Sequence, residues 1–288
     1  MGVKIQTIKD IRFYLAKELA GVYNEPEIRA FADIIIKTVF GITKLHQLYD
    51  GAYMVTGIQT EKFYKLTAEL KTGKPIQYIL GETTFYNCTI KVNGSTLIPR
   101  PETEELVDLI VRENKGYEGN IIDFGTGSGC IAISLAANIP LSALTGIEIS
   151  DDAIRIAQEN AFLNNVKVSF IKGDIFNLDP EAVGRAGIIV SNPPYVRDSE
   201  KPFMARNVLD FEPHLALFVT DSDPLIYYSA ILKLADKILL RGGRLYFEIN
   251  EIMGKSMILL LESFNYSEIE ILSDINNKER IIKGRKNV

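Results

Sequence analysis

The spacing of apolar residues changes near residue 82 and divides the chain into two parts. Before this point apolar residues recur every three or four positions, which is the spacing of a helix with one buried face. Pro26 and Gly73 are placed as residues that begin and end helices. Three helices are predicted, from Ile8 to about Gly21, from Glu25 to Gly41 and over Ile58–Thr72. We therefore expect a small helical bundle over residues 1–82.

A short alternating stretch follows the bundle. Residues Thr83–Ile98 alternate between apolar and polar positions and contain Asn93-Gly94, a dipeptide typical of a tight hairpin turn. We expect a β-hairpin over residues 83–98 that links the bundle to a larger domain over residues 99–288.

Predicted strands and helices alternate from Pro99 onward. Strands are predicted over residues 120–124, 143–148, 167–172, 186–191, 243–249, 267–273 and 279–284, and helices over residues 102–114, 129–138, 151–163, 223–240 and 254–263. This alternation is typical of an α/β domain, in which helices cover both faces of a mostly parallel sheet. Ligands of such sheets bind outside the carboxyl ends of the strands, so residues that directly follow a strand are the first candidates for a site.

The segment Asn192-Pro193-Pro194-Tyr195 follows the apolar run Ala186–Val190, a predicted buried strand. The two prolines have no N–H group, and a residue before proline is disfavoured in the α region, so the loop is stiff and extended. It presents a carboxamide and an aromatic ring, which together suit a planar amide or amidine group. A proline turn that only ends the strand is the alternative. The four residues together favour a site for a planar nitrogen nucleophile.

A glycine loop follows an earlier predicted strand. Gly125-Thr126-Gly127-Ser128-Gly129 separates the strand Asn120–Phe124 from a helix that begins near Cys130. This order lets a nucleotide-like ligand approach bare backbone at a helix N-terminus. The spacing differs from a dinucleotide fingerprint and from a Walker-type phosphate loop. Asp123, just before the loop, is a candidate to hold a cation such as an amino-acid ammonium group, and a tight turn without a ligand is the alternative for the loop as a whole.

Two further predicted strands are followed by acids. Glu148 ends a strand about 20 residues beyond the glycine loop, where a ribose-binding carboxylate lies in nucleotide-binding folds. Its alternative role is an acid at the start of the next helix. Asp174 is a candidate acceptor for an adenine amino group, with Ile175 packed on the ring, and the alternative for Asp174 is a local side-chain turn.

Composition narrows the class of protein. The chain has 288 residues, 47% of them hydrophobic and 24% charged, as in soluble globular proteins. The net charge of −5 argues against a dedicated DNA-binding enzyme, which would usually be basic. The two cysteines imply no disulfide framework, and His46 and His214 alone suggest no zinc site. No apolar run of membrane-spanning length and no signal-peptide pattern is present, so we expect a cytoplasmic protein without a membrane partner.

The order of Asp123, the glycine loop, Glu148, Asp174 and Asn192–Tyr195 resembles that of Rossmann-like S-adenosylmethionine-dependent methyltransferases. The closer resemblance, from about residue 73 to the end, is to the HemK/PrmC family of protein-(glutamine-N5) methyltransferases that act on peptide chain release factors. The further segments that carry it are Gly73–Gly81, Phe85-Tyr86, Leu97–Glu104, Glu212–Leu217, and Asp274 with Arg280. Glu148, where the family more often has aspartate, and Ile175, where some members have an aromatic ring, depart from the family pattern.

The resemblance implies a fold, a reaction and a set of site residues. The fold is a Rossmann-like methyltransferase domain with a helical substrate-recognition domain before it. The cofactor is S-adenosylmethionine, and its product is S-adenosylhomocysteine. The implied cofactor-binding residues are Gly125, Thr126, Gly127, Ser128, Gly129, Glu148, Asp174, Ile175 and Asn192. Asn192, Pro193 and Tyr195 are implied to be catalytic, and with Pro194 they bind the substrate amide, on which Tyr195 stacks.

Several readings of the function remain open from the sequence. The implied substrate is the glutamine of a Gly-Gly-Gln loop in a release factor, without a stable nucleic-acid partner. A glutamine methyltransferase for a ribosomal protein and an adenine-N6 methyltransferase for DNA or RNA would use the same chemistry. A protein that binds S-adenosylmethionine without catalysis is a third class, against which the intact Asn192–Tyr195 segment argues.

Overall fold

The computed structural model describes residues 5–42 and 56–288 and divides the chain into two compact units, Met1–Leu80 and Gly81–Val288. The described part of the first unit contains α1 (Ile8–Leu19), α2 (Glu25–Thr38), α3 (Gly57–Leu70) and the short α4 (Ile76–Leu80). The three predicted helices are confirmed, and α4 was not predicted. Each of the first three helices begins with a capping box, built on Thr7, Asn24 and Thr56, that satisfies backbone N–H groups of the first turn.

The apolar faces of these helices pack into one core. Fully buried members of this core include Ile11, Leu15, Leu19, Ile35 and Phe63, which recur at helical spacing on their helices. The spacing that predicted the helices therefore also selected the buried residues.

The second unit begins with the hairpin of β1 (Glu82–Phe85) and β2 (Cys88–Lys91). The predicted turn at Asn93-Gly94 is wrong, because the strands are joined by Tyr86 and Asn87, both at positive φ. The Tyr86 N–H donates to the Glu104 carboxylate at 3.0 Å, which stabilises this turn. Asn93 instead forms a separate turn in which its side chain accepts from the N–H of Ser95.

The remaining elements of the second unit alternate as expected. The helices are α5 (Pro101–Glu113), α6 (Cys130–Asn138), α7 (Asp151–Leu163), α8 (Pro180–Val183), α9 (Arg206–Phe211), α10 (Ile226–Ile238) and α11 (Gly254–Ser263). The strands are β3 (Asn120–Phe124), β4 (Ala143–Glu148), β5 (Val168–Lys172), β6 (Ala186–Ser191), β7 (Val196–Arg197), β8 (Phe218–Val219), β9 (Leu239–Glu248), β10 (Tyr266–Ser273) and β11 (Glu279–Lys286). The elements between residues 196 and 219 were not predicted, since they are short and have no regular apolar period.

Seven strands form the main sheet, in the order β10-β11-β9-β6-β3-β4-β5. The predicted parallel pairing is confirmed for β3, β4, β5, β6 and β9, and β11 runs antiparallel to both of its neighbours. The chain builds β3, β4 and β5 in one direction and then returns to place β6 on the other side of β3. The strand order thus reverses between β3 and β6, and such a point opens a crevice at the carboxyl ends of the strands. In the part of the chain that the structure describes, no helix is long and apolar enough to cross a membrane.

Candidate active site

A cavity of about 420 Å³ opens at this crevice, within the size range of roughly 300–1,000 Å³ typical of small-molecule sites. Its walls come from the loops after β3, β4, β5 and β6 and from two segments outside the sheet, residues 95–100 and 213–216. The predicted site residues that line it are Gly125, Thr126, Gly127, Ser128, Glu148, Asp174, Ile175, Asn192, Pro193 and Pro194. Two predicted site residues, Gly129 and Tyr195, are not among the lining residues.

Glu148, the last residue of β4, forms a hydrogen bond to the glycine loop. The N–H of Gly127 donates to Oε2 of this carboxylate at 2.9 Å, and the N–H groups of Ile149 and Ser150 donate to Oε1. The start of α7 is capped by the Ser150 hydroxyl and not by Glu148. This geometry favours the ligand-binding interpretation of Glu148 over the helix-start interpretation, because the carboxylate lies on the cavity wall with a fixed orientation.

The glycines leave room for a ligand directly over the backbone. Gly125 and Gly127 have φ of +69° and +55°, and a Cβ on either would meet no protein atom closer than 4.0 Å. Gly129 differs, because a Cβ there would lie 2.9 Å from Ile133 and 3.1 Å from Ala157. The first two glycines therefore open the cavity to a ligand, and the third allows α6 and α7 to pack closely. This cradle and the Glu148 carboxylate beside it fit a nucleoside-bearing cofactor.

Asp174 and Ile175 lie where β5 meets the cavity. The Asp174 carboxylate accepts hydrogen bonds from the Phe176 N–H at 3.0 Å and from the Asn177 side chain at 2.9 Å. The side-chain turn considered from the sequence is therefore present, and it orients a carboxylate that also lines the cavity. Adenine recognition by this pair stays a prediction.

Asp123 does not lie on the cavity wall, so the expectation that it holds a ligand cation is not supported. Its carboxylate is fully buried, and Oδ2 accepts the Thr126 hydroxyl at 2.6 Å. Burial raises the pKa of Asp123 to about 7. Asp123 thus holds the glycine loop through a hydrogen bond with Thr126.

Asn192 begins the second functional loop directly beside the glycine loop. In the parallel pairing of β3 and β6, Phe124 is the register partner of Ser191, and the Ser191 hydroxyl donates to the Phe124 carbonyl at 2.6 Å. Gly125 and Asn192 directly follow the ends of these two strands. The candidate cofactor loop and the candidate amide-binding loop therefore start side by side.

A chain of hydrogen bonds connects Asn192 to Tyr195 through Thr103 and Glu248. Its Nδ2 donates to the Thr103 hydroxyl oxygen at 3.2 Å, and Thr103 donates to Oε2 of Glu248 at 2.7 Å. Oε1 of Glu248 accepts the hydroxyl of Tyr195 at 2.8 Å. Burial, followed by the charge of Glu248, raises the pKa of Tyr195, so its phenol remains a hydrogen-bond donor at neutral pH.

Tyr195 is placed differently from the rest of its segment. Its ring packs against the apolar core of the sheet, and its hydroxyl is held by Glu248. Stacking of this ring on a substrate amide stays a prediction, which the contacts of Tyr195 do not favour.

Four residues of the site, Thr103, Glu248, Arg100 and Glu212, were not recognised individually from the sequence. Thr103 and Glu248 support Asn192. The buried carboxylate of Glu212 accepts from the Arg100 guanidinium at 2.6 Å and from the Ile98 N–H at 3.1 Å. The ion pair of Arg100 and Glu212 joins the two lining segments outside the sheet, residues 95–100 and 213–216. A sequence signal existed for Glu248, which ends an apolar strand with an acid as Glu148 does.

The groups that line the cavity include no strong base for a neutral amide. Burial raises the pKa of the Cys130 thiol to about 12, so it stays protonated and is a poor nucleophile. Within residues 5–42 and 56–288 no three His, Cys, Asp or Glu side chains are grouped to hold a metal ion, and His46 lies outside the described residues.

Comparison with known proteins identifies the family. A model of the methyltransferase small domain matches residues 103–211, and one of the PrmC N-terminal domain matches residues 11–81. A release factor glutamine methyltransferase of Flavobacterium psychrophilum is 44% identical over 96% of this chain and 98% of its own length. One of Bacteroides thetaiotaomicron is 39% identical over 96% of this chain and 99% of its own length.

The chain belongs to the release factor glutamine methyltransferase family. It is an S-adenosylmethionine-dependent methyltransferase, as the resemblance implied, and the expected Rossmann-like fold with a helical N-terminal region is confirmed. The fold is shared with a crystal structure of a methyltransferase from Pyrococcus furiosus, with a TM-score of 0.53 and 14% identity over 81% of this chain and all of that one.

Proposed function

We propose that this enzyme transfers the methyl group of S-adenosylmethionine to the side-chain nitrogen of the glutamine in the Gly-Gly-Gln motif of peptide chain release factors. The observation that carries the proposal is the adjacency of Gly125 and Asn192 at the ends of two paired strands. A cofactor over the glycine loop and an amide held by Asn192 would meet at one place. The similarity to release factor glutamine methyltransferases over nearly the whole chain supports the choice of substrate.

The cofactor would be held by the cavity residues described above. Gly125 and Gly127 offer open backbone, and Oε2 of Glu148, which accepts the Gly127 N–H, keeps one further acceptor position for a ribose hydroxyl. Asp174 and Ile175 would contact the adenine ring. S-adenosylmethionine supplies a methyl group already activated by its sulfonium and leaves as S-adenosylhomocysteine.

Asn192 and Pro193 would position the substrate amide. Oδ1 of Asn192 accepts one amide N–H, and the carbonyl oxygen of Pro193 accepts the other. Both prolines keep the loop rigid, so the nitrogen lone pair is held in line with the methyl group. A glutamine nitrogen is a weak nucleophile because its lone pair is delocalised, and two accepted hydrogen bonds favour the pyramidal nitrogen needed for attack.

No strong base is required in this scheme. The amide nitrogen becomes far more acidic once it is methylated, so its proton can leave to water after transfer. This agrees with a cavity in which the two lining carboxylates, Glu148 and Asp174, are assigned to the cofactor and Cys130 is protonated. The enzyme therefore works mainly by positioning.

The N-terminal unit is proposed to bind the folded body of the release factor. The match of residues 11–81 to the PrmC N-terminal domain and the net charge of −5 both support a protein partner over a nucleic acid. We expect no stable nucleic-acid partner and activity in the cytoplasm, where release factors act.

The substrate can be tested by competition. The full chain is incubated with S-adenosylmethionine carrying an isotopically labelled methyl group, and with equal amounts of intact release factor, ribosomal proteins and duplex DNA. We expect label on the release factor alone. Label on adenine would favour a nucleic-acid methyltransferase, and label on a ribosomal protein would replace the release factor as substrate.

A further inference from the structure

The Thr103 hydroxyl lies between a hydrogen-bond donor, the Asn192 side chain, and an acceptor, the Glu248 carboxylate. Thr103 is 2% exposed, 3.2 Å from Nδ2 of Asn192 and 2.7 Å from Oε2 of Glu248. Residues 103, 192 and 248 come from α5, from the loop after β6 and from the end of β9, so three separate elements converge here. Such convergence in a buried place is costly unless every polar group is satisfied.

The direction of these hydrogen bonds follows from counting protons. A threonine hydroxyl has one proton to donate and lone pairs to accept with. A carboxylate can only accept, so the Thr103 proton must point to Glu248. The Thr103 oxygen can then only accept from Asn192, which requires the NH2 end of the carboxamide to face Thr103.

We propose that Thr103 and Glu248 are positioning residues that set which end of the Asn192 carboxamide faces the substrate. The proposal rests on the proposed function, in which Oδ1 of Asn192 accepts from the substrate amide. A carboxamide turned by 180° would present NH2 to the substrate NH2, two donors that repel. Asn192 alone cannot fix its own orientation, because its two ends have nearly the same shape.

Both oxygens of Glu248 accept hydrogen bonds. The Tyr195 hydroxyl donates to its other oxygen at 2.8 Å, and the charge of Arg280, which is held by Asp274 at 3.2 Å, stabilises the carboxylate. Burial raises the pKa of Glu248, while these hydrogen bonds and Arg280 act against that shift. The two carboxylate oxygens thus have different partners, one from Tyr195 and one from Thr103.

This arrangement predicts the outcome of two nearly isosteric changes. Thr103→Val removes the hydroxyl and leaves the carboxamide free to turn. In Glu248→Gln we expect the carbonyl end to accept from Tyr195, as Oε1 does in the wild type, so that the new NH2 group faces Thr103. Thr103 then accepts from residue 248 and donates to Asn192, which turns the carboxamide to the unproductive orientation.

The test measures kcat on intact release factor and the Kd for S-adenosylmethionine by calorimetry. Thr103→Val and Glu248→Gln are expected to lower kcat at least tenfold with the Kd changed less than about twofold. Thr103→Ser, which keeps the hydroxyl, is expected to retain kcat within about threefold. Tyr228→Phe is the matched control, since its buried hydroxyl donates to the backbone carbonyl of Glu248 at 2.9 Å but does not contact Thr103.

A second pair of variants separates positioning from a general loss of structure. If Thr103 acts through Asn192, then Thr103→Val should cause no further loss of kcat in an Asn192→Ala background. Equal losses in both backgrounds would overturn the proposal. It would also be overturned if Thr103→Val kept kcat within threefold, or if Thr103→Ser or Tyr228→Phe lost as much as Thr103→Val.

One readout does not depend on turnover. The side-chain NH2 signals of Asn192, assigned in ¹⁵N NMR spectra by their loss in Asn192→Ala, are expected to shift in Thr103→Val and Glu248→Gln and not in Tyr228→Phe. Unchanged signals in both variants would overturn the proposal. A wild-type enzyme that leaves glutamine unmethylated while the signals shift as expected would instead refute only the proposed function.

Discussion

Gly127 and Glu148, 21 residues apart, are joined by a hydrogen bond of 2.9 Å from the glycine N–H to Oε2 of the carboxylate. The bond fixes the carboxylate on the cavity wall and holds the centre of the glycine loop at positive φ. One side chain therefore shapes the loop and lines the cavity.

We predict that Glu148→Ala weakens binding of S-adenosylmethionine about tenfold or more. A hydrogen bond to a charged acceptor contributes about 1.5–3 kcal/mol, and the change also frees the glycine loop. Isothermal titration calorimetry measures the effect. Glu159→Ala is the control, because Glu159 is exposed on α7 and pairs with Lys91. Equal affinities of wild type and Glu148→Ala would remove Glu148 from the cofactor site.

We predict that Asn192→Ala leaves cofactor affinity nearly unchanged and lowers kcat far more than tenfold. The change removes the acceptor that aligns the nucleophile, and positioning of this kind accounts for several orders of magnitude in rate. Single-turnover methylation of release factor measures the rate, and calorimetry measures the affinity. A loss below tenfold would mean that Asn192 is not a main source of catalysis.

The sequence predicted the sheet and most of the cavity because both depend on local patterns. Strand, glycine loop and helix are neighbours along the chain, and Glu148 stands at a fixed distance from them. Thr103 and Glu248 are 145 residues apart, and nothing local marks them as partners. The burial of Asp123 beneath Thr126 was not predicted for the same reason, because it is set by tertiary packing and not by the local position of Asp123 before the loop.

We predict that Asp123 makes the protein less stable as pH rises. Its folded-state pKa of about 7 is raised above the unfolded value near 3.8, so the folded state binds its proton more tightly. This contribution to stability is complete below pH 3.8 and is lost as pH rises from 3.8 to about 7. Between pH 6 and pH 8 the free energy of unfolding should fall by on the order of 1 kcal/mol relative to Asp123→Asn.

Urea unfolding of both proteins at the two pH values checks this sign. The other titrating groups are common to the two proteins, so only the difference between them is compared. A wild type that gains stability relative to Asp123→Asn between pH 6 and pH 8 would contradict a raised pKa for Asp123.

We predict that a chain starting at Gly81 keeps its affinity for S-adenosylmethionine and loses most activity on intact release factor. All residues that line the cavity lie beyond residue 81, in the second unit. The loss should be smaller on a short peptide that contains Gly-Gly-Gln, because a peptide has no folded body for the N-terminal unit to bind. Equal losses on both substrates would argue against a recognition role for that unit.

The proposed reaction is tested most directly by locating the transferred methyl group. Release factor is incubated with S-adenosylmethionine and either the wild-type enzyme or Asn192→Ala, and its peptides are fragmented in a mass spectrometer. We predict one added methyl group on the side-chain nitrogen of the Gly-Gly-Gln glutamine with the wild type, and almost none with Asn192→Ala. A methyl group on any other residue, or equal methylation by both enzymes, would rule out the proposed reaction.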